Sequence, residues 1–106
     1  MSEFFYPKDG RKNYPKLEGL NKELFASFMG FNQKVFQEGN LTTKVKELIA
    51  VGCAHITRCP YCIDGHVQKA RQAGATDEEI AEAIFVGVAM SGGAALAHSC
   101  IAMDAL

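Results

Sequence analysis

From Leu17 onward, apolar residues recur at intervals of three and four: Leu17, Leu20, Leu24, Phe28, Phe31 and Val35, with Phe25 and Phe36 widening the stripe. That period puts them on one face of an amphipathic helix, and Gly39-Asn40 is the signal that closes it. Leu41-Thr42-Thr43 then offers an N-cap for a second helix. In this helix Val45, Leu48, Ile49, Gly52 and Ile56 form an apolar face. The other side, with Glu47, Ala50, Val51 and Ala54, is scarcely more polar. Leu48 to Thr57 holds no formal charge with His55 neutral, and a helix apolar all round is expected to be buried all round. Arg58-Cys59-Pro60 ends it, because the residue before a proline is pushed away from helical dihedrals.

Pro60 suits the first position of a third helix, which makes Cys59 its N-cap and Cys62 its third residue. Ile63, Val67 and Ala70 form its buried stripe, and Gly74 is the expected stop. Thr76-Asp77-Glu78-Glu79 reads as a capping box opening a fourth helix, with acidic residues at its positive dipole end. Ile80, Ile84 and Val88 continue its face. Gly92-Gly93 is expected to break or kink it, with a last helix running to the C-terminus. No strand-like alternation and no internal repeat appears, so the predicted fold is all-α, a compact helical domain over residues 17–106. Residues 1–16 form a polar arm broken by Pro7, Gly10 and Pro15.

Ala83 to Met103 carries no formal charge and is long enough to span a bilayer. Its Ala- and Gly-rich composition, central Gly-Gly, Ser91, His98, Ser99 and lack of basic flanks argue against that. Gly87, Ser91 and Ala95, at four-residue spacing, would let helices approach closely. A chain of 106 residues hides a modest share of its surface. Two helices this apolar are therefore expected to be covered by further copies in a homo-oligomer.

Composition narrows the function classes. Hydrophobic residues at 48% and charged residues at 22% exclude a disordered chain. A formal net charge of −1 gives no general electrostatic reason to bind nucleic acid or an anionic membrane. Met1 to Gly19 does not resemble a signal peptide. Cys59 and Cys62 are too close to close a useful loop, and Cys53 and Cys100 sit in apolar runs. A reducing cytoplasm with one reactive cysteine pair fits better than a secreted disulfide framework.

The run Cys59-Pro60-Tyr61-Cys62-Ile63-Asp64-Gly65-His66 carries the chemistry. Thiols at this spacing can form a disulfide across one helical turn. Cys62 in the first turn meets the positive helix end, which favours thiolate. His66 is one turn further along the same face and can exchange protons with the thiol. Two plainer readings stay open: a zinc site completed by Cys53 or His55, and two ordinary small buried residues. Glu47 is the last charge before the uncharged stretch. It is either a surface carboxylate or a buried group that holds or relays a proton. With the second and third helices antiparallel, Glu47 lies about 6 Å along the axis from His66, so contact requires a favourable crossing or a bridging water. His55 and His98 read as hydrogen-bonded core or interface histidines, and Cys53 and Cys100 as structural thiols.

Glu47, Cys59-Pro60-Tyr61-Cys62, His66 and the following Thr-Asp-Glu-Glu-Ile helix start resemble the AhpD-like branch of the carboxymuconolactone decarboxylase family, over roughly Leu17 to Leu106. The resemblance implies an all-helical fold assembled as trimers or hexamers, and a thiol-dependent hydroperoxide reductase without metal or cofactor. It assigns Cys62 as the peroxidatic cysteine, Cys59 as the resolving one, and His66 and Glu47 to a proton relay. The implied partners are a small hydroperoxide and a dithiol reductant such as a lipoylated protein. Well-characterised alkylhydroperoxidases of that branch carry a histidine between the cysteines where this chain has Tyr61, although tyrosine is common there among other relatives. A phenol donates a hydrogen bond but is a poor base at neutral pH, which leaves Tyr61 and His55 as auxiliary candidates. The alternatives are a non-peroxidase thiol–disulfide oxidoreductase, a carboxymuconolactone decarboxylase-type lyase, and a non-catalytic helical assembly or metal-binding module. The lyase branch typically lacks the cysteine pair.

Overall fold

A computed structural model describes Tyr6, Pro7 and residues 9–106; Met1–Phe5 and Lys8 of the expected arm lie outside the described residues. Every regular element among the described residues is helical. The chain divides into two compact units, residues 1–43 and 44–106.

The first unit holds a 3-10 turn (Gly10–Asn13), α1 (Tyr14–Leu20) and α2 (Lys22–Val35). Helical structure thus begins before Leu17, inside the segment expected to be a polar arm. The single helix expected from Leu17 onward is split at Asn21, whose backbone leaves the helical region (φ −155°, ψ 84°). The reason is local. Asn21 is a strong N-cap, and its side-chain oxygen accepts from the Leu24 amide at 3.1 Å, satisfying a donor that would otherwise be orphaned. Tyr14 and Phe25 meet edge to face across the two helices at 5.8 Å. α2 stops at Val35, ahead of Gly39. The loop that follows is tied by Thr43 Oγ1 donating to the Phe36 carbonyl at 3.0 Å.

The second unit is built from α3 (Thr43–Thr57), α4 (Pro60–Gln72) and α5 (Asp77–Asp104). Val51, Ala70 and Ile80, one from each helix, form its buried centre, with Leu48, Val67, Ala75, Ala83 and Ile84 packed around them. Gly74, at φ +97°, makes the turn out of α4 that an L side chain would strain. Thr76 and Glu79 form the expected capping box: the Glu79 amide donates to Thr76 Oγ1 at 3.1 Å and the Thr76 amide to Glu79 Oε1 at 2.9 Å.

Two expectations are corrected. Gly92-Gly93 neither breaks nor kinks the last helix into two, because α5 runs unbroken for 28 residues. A glycine inside a helix costs about 1 kcal/mol relative to alanine, which long helix-forming flanks absorb. Nor is α3 buried all round within the chain. It buries Glu47, Val51, Gly52 and Ala54, while Val45, Ile49 and Ile56 are exposed. The face bearing the charge is the interior one.

Where α3 and α5 cross, backbone approaches backbone. A Cβ added to Gly87 would lie 2.9 Å from the Gly52 carbonyl oxygen, and one added to Gly52 would lie 3.0 Å from that of Ala83. Of the small-residue stripe, Gly87 serves this contact, whereas Ser91 and Ala95 are exposed. Beside the crossing runs an apolar groove of about 540 Å³ lined by Val45, Ile49, Ile56, Val86 and Met90.

Candidate active site

Glu47, Val51 and Ala54 follow one another at intervals of four and three on the interior face of α3, so the fold carries the Glu47 carboxyl inward with them. The residue is only 3% exposed. A carboxylate removed from water needs a compensating partner, and α4 supplies one. His66 shares a face with Ile63 and Ala70, and its Nδ1 donates to Glu47 Oε1 at 2.6 Å. The contact is direct, with no bridging water required. Donation from Nδ1 to the carboxylate orients the ring and sets its tautomer.

The cysteines stand at the start of α4 as their spacing predicts. Cys59 is the N-cap in extended conformation (φ −99°, ψ 106°), and Pro60 occupies the first turn. Cys59 Sγ accepts the Cys62 amide N–H at 3.3 Å, and the Cys59 carbonyl accepts from Ile63 at 3.0 Å. Both cysteines are half-buried, and no disulfide joins them. His66 lies one helical turn beyond Cys62 on the same face of α4. Tyr61, between the cysteines, is also half-buried.

The corner leading into this site holds a residue that the sequence did not single out. Arg58 adopts φ +60°, left-handed for a residue with a Cβ, at a cost of about 1–2 kcal/mol. Its amide and that of Cys59 both donate to the Ala54 carbonyl, at 2.9 and 3.3 Å. This C-cap is commonly built on glycine, and with no glycine present the sequence carried no signal for it. The reversal delivers Cys59 directly from the end of α3 to the cap of α4.

The remaining candidates lie apart from this cluster or have other roles. His55 is half-buried, and its Nδ1 donates to the Val51 carbonyl at 2.7 Å. That is the hydrogen-bonded helix histidine expected of it. His98, Cys53 and Cys100 are exposed rather than buried, because a chain this small leaves those faces of α3 and α5 uncovered. Among the described residues, no three His, Cys, Asp or Glu side chains are gathered as a metal site.

The chain as a whole has relatives among known proteins. Residues 22–105 match the model of the Carboxymuconolactone decarboxylase family, and the chain belongs to that family. It is 49% identical over 80 residues to "Uncharacterized protein 4 in cox locus" of Paracoccus denitrificans, covering 76% of this chain and 72% of that one. It is 37% identical over 68 residues to an uncharacterized protein of Cupriavidus necator, covering 64% of this chain and 60% of the relative. A crystal structure of a protein from Methanobacterium thermoautotrophicum superposes with a TM-score of 0.75 at 34% identity, over 80% of this chain and 96% of that one.

Proposed function

We propose that the protein is a cytoplasmic thiol-dependent hydroperoxide reductase working through Cys59 and Cys62. The observation that carries this reading is the buried Glu47–His66 pair at 2.6 Å, with His66 on the helix whose N-terminus holds both cysteines. A base of fixed tautomer one turn from a thiol at a helix N-terminus is the arrangement that nucleophilic sulfur needs. His66 Nε2 takes the Cys62 proton. The thiolate attacks a peroxide oxygen, an S–O bond forms, the O–O bond breaks, and the departing alkoxide is protonated to an alcohol. Cys62 is left as a sulfenic acid. Cys59 sulfur attacks it, the S–S bond forms, and hydroxide leaves as water. A dithiol of the lipoyl type then reduces the disulfide, becoming oxidised itself.

A second reading, a thiol–disulfide oxidoreductase that does not use peroxide, is favoured by Tyr61 standing where a histidine would add a second base. Treating the reduced protein with an organic hydroperoxide separates the two. Peroxide should be consumed with loss of two of the four thiols, leaving Cys53 and Cys100 alkylatable. Cys62→Ser should abolish consumption, whereas Cys59→Ser should form one sulfenic acid and stall. Oxidation that leaves Cys59 and Cys62 as thiols would remove the peroxidase reading.

A further inference from the structure

The backbone at Arg58 favours glycine, yet the position carries a cation. At φ +60° it holds the left-handed conformation that glycine adopts freely, in a helix C-cap commonly built on glycine. A strained residue kept at the edge of a site argues for a use of its side chain. That side chain is exposed, and one peptide link, about 3.8 Å between Cα atoms, separates it from Cys59. Lys44 is held by Glu79 and Arg71 by Asp77, whereas no carboxylate pairs with Arg58 among the described residues. Leu48 to Thr57 before it and Ala83 to Met103 on α5 hold no formal charge with the histidines neutral. Glu47 is buried against His66. Asp64 lies about 200° around α4 from Cys62 and accepts from Gln68 at 3.0 Å. The neighbouring basic residues along the chain, Lys46 and Lys69, belong to the far ends of α3 and α4.

We infer that Arg58 is a specificity-determining residue, whose guanidinium selects, for the cysteine pair, molecules that bear an anionic group such as a carboxylate. The inference rests on the reactive Cys59–Cys62 pair proposed above and adds the chemical class of what reaches it. A guanidinium offers a carboxylate paired N–H donors as well as charge. With few charges of either sign around it, its field reaches as far as screening allows, about 10 Å at 0.1 M salt. The positive N-terminal end of α4 adds to the same field. Arg58 thus gives up the unstrained backbone of a glycine and places a free cation beside the two sulfurs.

The first test needs no peroxide. The reduced, intact protein is alkylated with iodoacetate, an anion, or with neutral iodoacetamide, and the rates at Cys59 and Cys62 are followed by peptide mapping. The ratio of the two rates is read, because a change in thiol pKa moves both alike. Arg58→Gln should lower the ratio about three- to tenfold. Added salt should lower it in the wild type, and Arg58→Lys, which keeps the charge, should retain most of it. Arg58→Gly should lose the ratio while raising the urea midpoint, since it relieves the left-handed φ. Two further arms identify the anion. Mercaptopropionate against uncharged mercaptoethanol, on the pair oxidised with diamide, reads the reductant. A carboxylated against an uncharged hydroperoxide reads the oxidant. Arg58→Gln should slow the anion selectively in at least one arm. A ratio unchanged in Arg58→Gln, unaffected by salt, or lost equally in Arg58→Lys would overturn the assignment, as would equal effects on both members of each pair of compounds. A shifted ratio in a protein inert to hydroperoxide would leave the role of Arg58 standing and remove only the peroxidase reading.

Discussion

Glu47 and His66 hold each other, so each substitution acts on the other residue as well as on its own position. His66→Ala leaves a carboxyl 3% exposed without its ring partner, which should destabilise the fold by roughly 3 kcal/mol. It should also slow the first oxidation step, with about 10²–10⁴-fold as the scale of a general-base contribution. Glu47→Gln keeps the shape of the site and weakens only the fixing of the tautomer, so its rate loss should be smaller than that of His66→Ala. Stopped-flow oxidation and urea unfolding of the two variants check both statements. A Glu47→Gln rate equal to wild type would end the relay at His66.

Among the elements, α5 shows how two glycine substitutions of the same kind separate by surroundings. At Gly87 a methyl would stand 2.9 Å from the Gly52 carbonyl oxygen, which is backbone and has no rotamer by which to yield. Gly87→Ala should therefore destabilise by about 1–3 kcal/mol despite the better helix propensity of alanine. At Gly92 the space is open within the chain, and propensity alone predicts a gain of about 0.5–1 kcal/mol. Denaturant midpoints of the two variants should move in opposite directions.

The N-terminus of the same helix gives a pH dependence. The hydrogen bond from Lys44, at 2.7 Å, and that from the Thr76 amide hold the Glu79 carboxyl below its ordinary value of 4.5. A carboxyl lowered in the folded state contributes stability above its unfolded value and loses it as pH falls through the folded one. Acidification below about pH 4.5 should therefore weaken the α3–α5 junction. Glu79→Gln should flatten that part of the stability–pH curve measured by thermal unfolding.

For the whole molecule, the apolar surface is the dominant feature. Phe85, Leu96 and Ile101 on α5 are each about 70% exposed. Much of the Leu17–Val35 stripe and the groove between α3 and α5 are exposed as well. By length and composition α5 could cross a bilayer, and only 11% of its most apolar window is buried. Exposed apolar surface on this scale marks an interface. Central Gly-Gly, three polar residues and an N-terminus tied into the α3–α4 core favour protein over lipid as the cover. Light scattering at micromolar concentration should give a trimer or hexamer without detergent. A monodisperse monomer would rule that assembly out.

The cap of α4, the capping box of α5 and the stop at Gly74 were legible in the sequence, because each depends on residues within a few positions of one another. So was the C-x-x-C-x-x-x-H face, which follows from helical periodicity once Pro60 sets the first turn. The break at Asn21 was local as well, but it competed with an apolar stripe running through it, and the side-chain cap prevailed. The helical class, strand-free among the described residues, followed from the absence of alternation. Tertiary structure decided the rest. Whether Glu47 faced water or His66 depended on which side of a nearly uniform apolar helix turned inward. Neighbouring residues could not specify that, since both sides were fit for burial. The Gly52–Gly87 crossing, the left-handed Arg58 and the uncovered faces of α3 and α5 have the same origin. Each depends on where a second segment lies in space, which a local pattern does not encode.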